Sequence, residues 1–331
     1  MAPVTKWGIA GCGKISSDFV NAIQHVGGSV HVVVAVAARS LDSAEAFAKK
    51  FGIGKYYDRY EALAEDPDID VVYIGVINTC HFGIARSMLS AKKPVLCEKP
   101  LCLNLPETQQ LVDFARKQDT FLMEGIWSRY FPVYEELKTR LENQEVGDVF
   151  HAYLTFGVSI ASVSRVSEKK YGGGAMLDIG VYALQFLLFV FGEQRPLEVK
   201  ATGMLNEQGL EVDVTCVLKF PGDRFGTFVI STRGFLPNEA FVSGSKGTMK
   251  LSSPFWAPEN LTGPSGDFAS PLDPSERVYN YGNSQGFKYE AAAVAEGLRR
   301  GEKEISRTPH STTLLLAELI QTIREQLGVT C

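Results

Sequence analysis

The sequence lacks long apolar runs, blocks of like charge and paired cysteines. Eighteen uninterrupted apolar residues occur nowhere, and residues 1–9 contain no charged leader followed by an apolar run. We therefore expect neither a membrane span nor a standard secretion signal. The 33 basic and 38 acidic residues are spread along the chain and leave a net charge of -5, so we expect no nucleic-acid partner.

Cysteine is sparse and scattered, with no CxxC pair. Two of the thiols, Cys97 and Cys216, lie in apolar runs typical of buried strands. This usage predicts reduced thiols and a cytoplasmic location. A zinc site is the alternative, but no Cys/His cluster has ligand spacing, and we predict no metal. The six cysteines are Cys12, Cys80, Cys97, Cys102, Cys216 and Cys331.

The 331 residues are too many for one ordinary core and predict two domains. In the first, residues 1–125, short apolar runs alternate with helical patterns, which predicts a Rossmann-type doubly wound parallel sheet. Its predicted strands are residues 6–10, 32–37, 71–76, 95–97 and 121–124, and its predicted helices are residues 15–26, 43–51, 82–91 and 106–118.

The second predicted domain, residues 126–331, is rich in strands separated by turn signals. This pattern predicts an α+β domain with a large, mainly antiparallel open sheet. Residues 252–283 lack periodicity and predict a long loop near a functional surface. The predicted strands are residues 149–158, 197–204, 212–220, 226–232, 241–243 and 248–251, and the predicted helices are residues 286–300 and 312–327.

A GxG pair, Gly11 and Gly13, follows the first strand and opens the first helix. Gly11 permits a tight turn, and Gly13 lets the backbone approach a pyrophosphate that the N–H groups from Lys14 and Ile15 onward would face. Ser16 stands where the usual fingerprint has its third glycine, so the helix should lie less close to the strand. A plain turn is the alternative, but the position at the first strand–helix junction favours dinucleotide binding.

The end of the second strand indicates which dinucleotide binds. NAD enzymes usually place an acid there, whereas this chain has Arg39 and Ser40, with no acid before Asp42. Arg39 can form bidentate hydrogen bonds to a 2′-phosphate, and the hydroxyl of Ser40 can donate another, so the pattern favours NADP. A solvated arginine at a strand end is the alternative.

Two further segments carry candidates for chemistry. Glu98 and Lys99 follow a predicted strand at the edge where α/β sheets bind ligands, although such a pair also occurs as surface decoration. After three glycines at residues 172–174, Asp178 and Tyr182 stand four apart on a predicted helix and would share one face. A core tyrosine with an acid near the helix N-terminus is the alternative.

These segments together resemble the glucose-fructose oxidoreductase and inositol dehydrogenase (Gfo/Idh/MocA) family over nearly the whole chain. Residues 15–19, 34–39, 73–75, 95–100, 121–124 and 126–132 are similar to its branch of dihydrodiol and NADP-dependent D-xylose dehydrogenases. The resemblance implies hydride transfer between NADP and a secondary alcohol: trans-1,2-dihydrobenzene-1,2-diol to catechol, or D-xylose to D-xylonolactone. It also implies a homodimer formed through the C-terminal sheet.

The resemblance assigns catalysis to Lys99 and Tyr182, with Asp178, His81 and Tyr73 around nicotinamide and substrate. Many relatives carry histidine where this chain has Tyr182. We predict catalytic roles for Lys99, Tyr182, Asp178 and His81, although a lone histidine is often structural. The predicted cofactor-binding set is Gly11, Gly13, Lys14, Ile15, Arg39, Ser40, Tyr73, Asn78, His81, Glu98 and Lys99.

Alcohol oxidation needs a base, for which Tyr182 is the candidate. A phenol titrates near pH ~10, and the ammonium of Lys99 would favour the phenolate. Asp178 could hold Lys99 or a substrate hydroxyl. The predicted substrate-binding set is Trp127, Arg129, Phe156, Asp178 and Tyr182. Phe255 and Trp256 could extend an aromatic wall, although such aromatics are more often plain core.

Two rival functions remain open. One is another sugar or polyol dehydrogenase or reductase of the same family. The other is a non-catalytic NADP-binding sensor, against which the presence of both Lys99 and Tyr182 argues.

Overall fold

Strands and helices alternate in the first third of the chain and then give way to a run of strands, in a computed structural model that describes residues 3–329. The N-terminal elements are β1 (Thr5–Ala10), α1 (Lys14–Val26), β2 (His31–Ala37), α2 (Leu41–Phe51), β3 (Lys55–Tyr57), α3 (Glu61–Glu65), β4 (Val71–Ile74), α4 (Asn78–Ser90), β5 (Val95–Glu98), α5 (Leu105–Gln118) and β6 (Leu122–Gly125). Cys331 lies outside the described residues.

The later part of the chain contributes eight more strands and five more helices within that range. These elements are α6 (Pro132–Glu142), β7 (Val149–Gly157), α7 (Ser164–Ser167), α8 (Val181–Val190), β8 (Glu198–Leu205), β9 (Glu211–Phe220), β10 (Arg224–Ser231), β11 (Ala240–Gly244), β12 (Gly247–Leu251), β13 (Asn260–Thr262), β14 (Phe268–Ala269), α9 (Phe287–Arg299) and α10 (His310–Gln326). A π-helical turn, Met176–Gly180, directly precedes α8.

The first compact unit is built on a parallel sheet in the order β3-β2-β1-β4-β5-β6. Strands β4 and β5 are buried on both faces, as their apolar sequences require in a sheet covered by helices on both sides. The strand order reverses between β1 and β4, and ligands bind at such switch points beyond the carboxyl ends of the strands. The predicted Rossmann-type architecture is confirmed.

A C-terminal segment, Leu272–His310, also belongs to this first unit, together with the chain up to Cys102 and Pro106–Trp127. The Asp18 carboxylate on α1 accepts hydrogen bonds from the amides of Asn280 (2.8 Å) and Tyr281 (3.0 Å). Phe287 stacks on Trp127, with ring centroids 4.5 Å apart. The division predicted at residue 125 differs here, because it placed this segment in the second domain.

The second unit contains an eight-stranded sheet in the order β14-β13-β12-β11-β7-β10-β9-β8. Strands β7 and β10 pair in parallel and the other neighbours are antiparallel, so the predicted mainly antiparallel open sheet is confirmed. The apolar helix α8 lies against β7 and β10 and is almost fully buried.

Sequence patterns missed several elements. α6, β3 and α3 were not predicted, nor was the short helix α7, and the loop predicted at residues 252–283 contains β13 and β14. Asp178 lies in the π-helical turn and Tyr182 in α8, so the α-helical four-residue spacing does not describe the segment that joins them.

Residues Lys169–Val190 form a helical run of 22 residues that is long and apolar enough to cross a membrane by length and composition. In this structure, however, 83% of its most apolar 18-residue window is buried inside the protein, as in a core helix.

Candidate active site

The two glycines after β1 differ in their surroundings: Gly11 is tightly packed, whereas Gly13 leaves open space beside the backbone. Gly11 has φ +103°, and a Cβ there would lie 2.9 Å from the carbonyl oxygen of Gly75. Gly13 is the N-cap of α1, has ordinary backbone angles, and a Cβ there would meet only that same oxygen, at 3.8 Å. Gly13 and Lys14 are exposed and Ile15 is half-buried, and the N-cap residue has no side chain, so within residues 3–329 the first turn of α1 presents backbone N–H groups without a side-chain cap. This arrangement fits a phosphate group.

Ser16, at the position of the missing third glycine, packs against Gly75 at the end of β4. Its hydroxyl donates to the Gly75 carbonyl at 3.3 Å, and a Cβ on Gly75 would lie 2.5 Å from that hydroxyl oxygen. The room that the fingerprint normally obtains from its third glycine therefore comes from the neighbouring strand.

Arg39 is exposed at the carboxyl end of β2. Ser40 follows it as the N-cap of α2, and its hydroxyl accepts from the amide of Ser43 at 3.3 Å. Tyr60, the N-cap residue of α3, was not among the predicted site residues. Burial raises the pKa of Tyr60, and the positive charge of Arg39 opposes that shift.

Lys99 is half-buried on a turn whose backbone is held from two directions. The imidazole Nδ1 of buried His81 lies 2.9 Å from the carbonyl oxygen of Pro100, and its Nε2 lies 3.2 Å from that of Val76. The carboxylate of buried Glu124 accepts from the amide of Leu101 at 2.9 Å. Burial also lowers the pKa of His81. His81 thus positions the turn in this structure, and its predicted catalytic role stays a prediction.

Behind this turn lies a buried cluster of acidic groups. The phenol of Tyr73 donates to Oε1 of Glu98 at 2.7 Å, and its ring stacks on Phe19. Glu290 on α9 was not among the predicted site residues, although it lies on the apolar face of that helix. Neither of its carboxylate oxygens has a hydrogen-bond partner within residues 3–329. Burial raises its pKa well above the usual value, and the charge of Glu98 raises it further. Tyr73 itself is fully buried, and in this structure its hydroxyl holds the carboxylate of Glu98 in place through that hydrogen bond.

In the second unit, Asp178 and Tyr182 lie at the start of a long buried helix. The Asp178 carboxylate forms an ion pair with Arg165 of α7, and 12% of its side chain is exposed. Tyr182 is 8% exposed. Its ring lies 5.8 Å from that of Phe156 and 6.4 Å from that of Trp256.

Phe156 and Trp256 form a stacked pair beside Tyr182, with centroids 3.7 Å apart. Phe255 is fully buried behind them in edge contact with both. The structure thus places two of the predicted aromatic residues, Phe156 and Trp256, beside Tyr182, and Phe255 behind them. Trp127 belongs to the first unit, where it stacks on Phe287.

Arg129 has a different place from the one predicted. Its side chain is 1% exposed and forms an ion pair with Glu193 at 2.7 Å. Its other donors contact the side-chain and backbone oxygens of Gln185 on α8, at 3.2 and 3.0 Å. This geometry gives Arg129 a structural role under α8 and does not support substrate binding.

The predicted site residues therefore fall into two groups. Gly11, Gly13, Lys14, Ile15 and Arg39 lie at strand ends of the parallel sheet with Lys99 and with Asn78, which is half-buried at the start of α4. Phe156, Asp178 and Tyr182 lie together in the second unit. The prediction that Lys99 acts on Tyr182 joins residues of different units and stays a prediction.

A dinucleotide-binding unit combined with an open-sheet unit defines a class of oxidoreductases. Residues 5–126 match the family described as oxidoreductases with an NAD-binding Rossmann fold, and residues 134–250 match the GFO/IDH/MocA C-terminal domain. The chain belongs to the Gfo/Idh/MocA family, and it is a dehydrogenase with a nicotinamide-dinucleotide-binding fold.

Several relatives that are about 40% identical to this chain share one name. The chain is 41% identical over 324 residues to trans-1,2-dihydrobenzene-1,2-diol dehydrogenase of Danio rerio and 42% identical over 325 residues to that of Homo sapiens. Each alignment covers 98% of this chain and 97% of the relative. A levoglucosan dehydrogenase solved with NADH and levoglucosan shares the fold, with TM-score 0.86, 17% identity and 98% of each chain covered.

The two glycines of the turn give the first prediction. Gly11→Ala should destabilise the protein by about 1–3 kcal/mol, because alanine is strained at φ +103° and its Cβ overlaps the Gly75 carbonyl. Gly13→Ala should leave the melting temperature nearly unchanged but raise the dinucleotide Kd about tenfold or more, the effect of a ~1.4 kcal/mol overlap with the pyrophosphate.

Thermal unfolding and fluorescence titration with NADP measure the two effects. Gly28→Ala is the control, since a Cβ there meets nothing within 4 Å. Wild-type affinity in Gly13→Ala would remove that residue from the phosphate site.

Proposed function

We propose that this dehydrogenase uses NADP to oxidise a secondary alcohol on a flat or ring-shaped substrate, with trans-1,2-dihydrobenzene-1,2-diol as the first candidate and D-xylose as the second. The observation that carries the proposal is the stacked pair Phe156–Trp256 beside Tyr182, which offers a planar apolar surface next to a proton-accepting group. The shared name of the relatives supports the same substrate class.

The residues of the first unit fit the proposed cofactor. The uncapped first turn of α1 and the open space at Gly13 suit a pyrophosphate, and exposed Arg39 suits a 2′-phosphate. When bound, NADP supplies the hydride acceptor.

Tyr182 takes the hydroxyl proton in the proposed reaction. As the carbon–hydrogen bond of the alcohol breaks, its electron pair leaves with the hydride and the oxygen–hydrogen electrons form the carbonyl, so a base must accept the proton. A cation such as Lys99 favours the phenolate that does this. Asp178, held by Arg165, can accept a hydrogen bond from a second substrate hydroxyl. The aromatic pair excludes water from the reacting carbon.

A kinetic screen tests the substrate class directly. Initial rates of NADP reduction would be measured over cyclic diols, aldoses and other polyols, and of NADPH oxidation over α-dicarbonyls. A preference for cyclic diols or for D-xylose supports the proposal, and activity confined to another sugar or polyol would select the rival family function. Tight NADP binding without turnover on any compound would favour the sensor.

A cytoplasmic location is also part of the proposal. The five described cysteines are free thiols, which supports this location.

Tyr182→Phe gives the sharpest test of the mechanism. Turnover should fall about 10²- to 10⁴-fold, because acid–base catalysis contributes that much, while NADP binding stays nearly intact. Lys99→Met should do similar damage and shift the remaining pH dependence upward, since the phenol loses its cation. The double variant should cost little more than the worse single one. Steady-state kinetics would measure all three, with Tyr171→Phe as control. Retention of more than about a third of wild-type turnover in Tyr182→Phe would place the base elsewhere.

Arg39 gives a test of cofactor preference. Arg39→Asp should raise KM for NADP about 10- to 100-fold, because a charge-assisted hydrogen bond to the 2′-phosphate contributes about 1.5–3 kcal/mol. KM for NAD should change much less. Arg116→Asp, at an exposed arginine on α5, is the control. Equal changes for both cofactors would remove Arg39 from this role.

The open face of the second sheet supports a dimer as part of the proposal. One row of side chains crosses four neighbouring strands of this sheet and consists of Val217, Thr227, Tyr153 and Phe241. Within this row, Tyr153 stacks on Phe241. These side chains alternate with the buried residues of their strands, so they form the face opposite to α8. A second copy would cover this apolar centre through a two-fold interface.

Light scattering should show a dimer for the wild type at micromolar concentration and a monomer for Tyr153→Glu, whose charge would be buried in the interface. Val278→Glu, at an exposed apolar residue of the first unit, should remain dimeric. A monomeric wild type contradicts the proposal.

A further inference from the structure

Two oppositely charged side chains lie deep in the second unit, and none of the steps above uses them. Glu211, the first residue of β9, is 0% exposed, and Arg324, in the last turn of α10, is 6% exposed. Arg324 Nε lies 3.4 Å from Oε1 of Glu211. Burial raises the pKa of Glu211, and the guanidinium opposes that shift.

The Glu211 carboxylate contacts the beginning of the helix that carries Asp178 and Tyr182. Its Oε1 accepts from the amide of Met176, the first residue of the π-helical turn, at 3.0 Å. An anion at this end of a helix is favoured by the unpaired amides and by the helix dipole.

Gly174 completes the contact from the other side. It has φ +117°, and a Cβ at this position would overlap Oε1 of Glu211. Its amide donates to the Val166 carbonyl at 2.9 Å, and its carbonyl accepts from the amide of Asp178 at 3.2 Å. The carboxylate therefore fixes the backbone two residues before Asp178 as well as the loop that leads to it.

Stability alone does not explain this pair. Two buried charges lose their hydration, and replacing such a pair with apolar side chains is often neutral or stabilising. The pair is also incompletely satisfied, because neither Oε2 of Glu211 nor Nε of Arg324 has a hydrogen-bond partner within residues 3–329. What the carboxylate supplies, and an apolar side chain cannot, is an acceptor at the Met176 amide.

We propose that Glu211, held by Arg324, is a positioning residue for the dehydrogenase reaction: it sets the start of the helix that presents Asp178 and Tyr182. This inference rests on the proposed function, since it takes those two residues as the reacting groups. Displacements of ~1 Å in catalytic groups lower turnover by about 10²-fold, so a loosened helix start acts on kcat. NADP binding, which uses the first unit, is unaffected.

Two matched double variants separate the acceptor from the charge. Glu211→Leu with Arg324→Met removes both charges and the acceptor, whereas Glu211→Gln with Arg324→Met removes both charges and keeps an amide oxygen for Met176. The Leu variant should melt within a few degrees of the wild type, because removal of the two buried charges offsets the cost of leaving the Met176 amide without an acceptor. Its kcat with trans-1,2-dihydrobenzene-1,2-diol should fall about 10- to 100-fold while KM for NADP stays unchanged. The Gln variant should recover most of that kcat.

Arg195→Gln is the surface control, because Arg195 makes an exposed ion pair with Glu318 of α10 that should contribute little. Wild-type kcat in a folded Leu variant, or equal losses in the Leu and Gln variants, overturns the proposal. If the Leu variant does not fold, the Gln variant decides: kcat near wild type supports the proposal, and a loss of more than about tenfold contradicts it.

Amide hydrogen exchange provides a readout that needs no turnover. Residues 174–180 should exchange slowly in the wild type and the Gln variant and faster in the Leu variant. If the wild type oxidises none of the compounds screened, the proposed function fails, but this comparison still decides whether Glu211 holds the helix start. Unchanged protection in the Leu variant contradicts that role.

Discussion

The close approach of β1 and β4 at their carboxyl ends is the constraint on which the dinucleotide-binding unit depends. The Gly75 amide donates to the Ala10 carbonyl, and neither Gly11 nor Gly75 has room for a side chain. Because this contact is tight, α1 begins directly over the switch point with its first amides exposed. β5 pairs with β4, so the same contact also determines where the Lys99 turn leaves the sheet.

Both units use buried polar side chains to hold backbone groups. Glu124 accepts from the Leu101 amide, His81 lies against the Pro100 carbonyl, and Glu211 accepts from the Met176 amide. Burying such groups costs free energy, and a hydrogen bond to a fixed backbone atom offsets part of that cost. In the first unit the backbone held in this way carries Lys99, and in the second unit it leads to Asp178 and Tyr182.

Local sequence patterns predicted the elements that bury a regular stripe. The parallel strands and α1 followed from apolar runs and a glycine turn, whereas α6, with its mixed surface, and the three-residue strand β3 gave too weak a period. Arg129 was predicted to bind substrate, but its hydrogen-bond partners Gln185 and Glu193 are more than 50 residues away in the sequence. The contacts of Glu211 with Met176 and Arg324, and the burial of Glu290 near Glu98, likewise involve residues far apart in the sequence. The burial of these side chains depends on tertiary packing, which cannot be predicted from a short stretch of sequence.

The assignment of Leu272–His310 to the first unit bears on the order in which the protein folds during synthesis. A nascent chain emerges N-terminus first, yet Phe287, which packs against Trp127 and Phe19, emerges after nearly all of the second unit. The backbone amide of Leu122 on β6 must likewise wait for the carbonyl of Lys303. The dinucleotide-binding unit is therefore begun first but completed only after most of the second unit has emerged, and a chain that stalls before residue 272 leaves apolar surface of the first unit exposed.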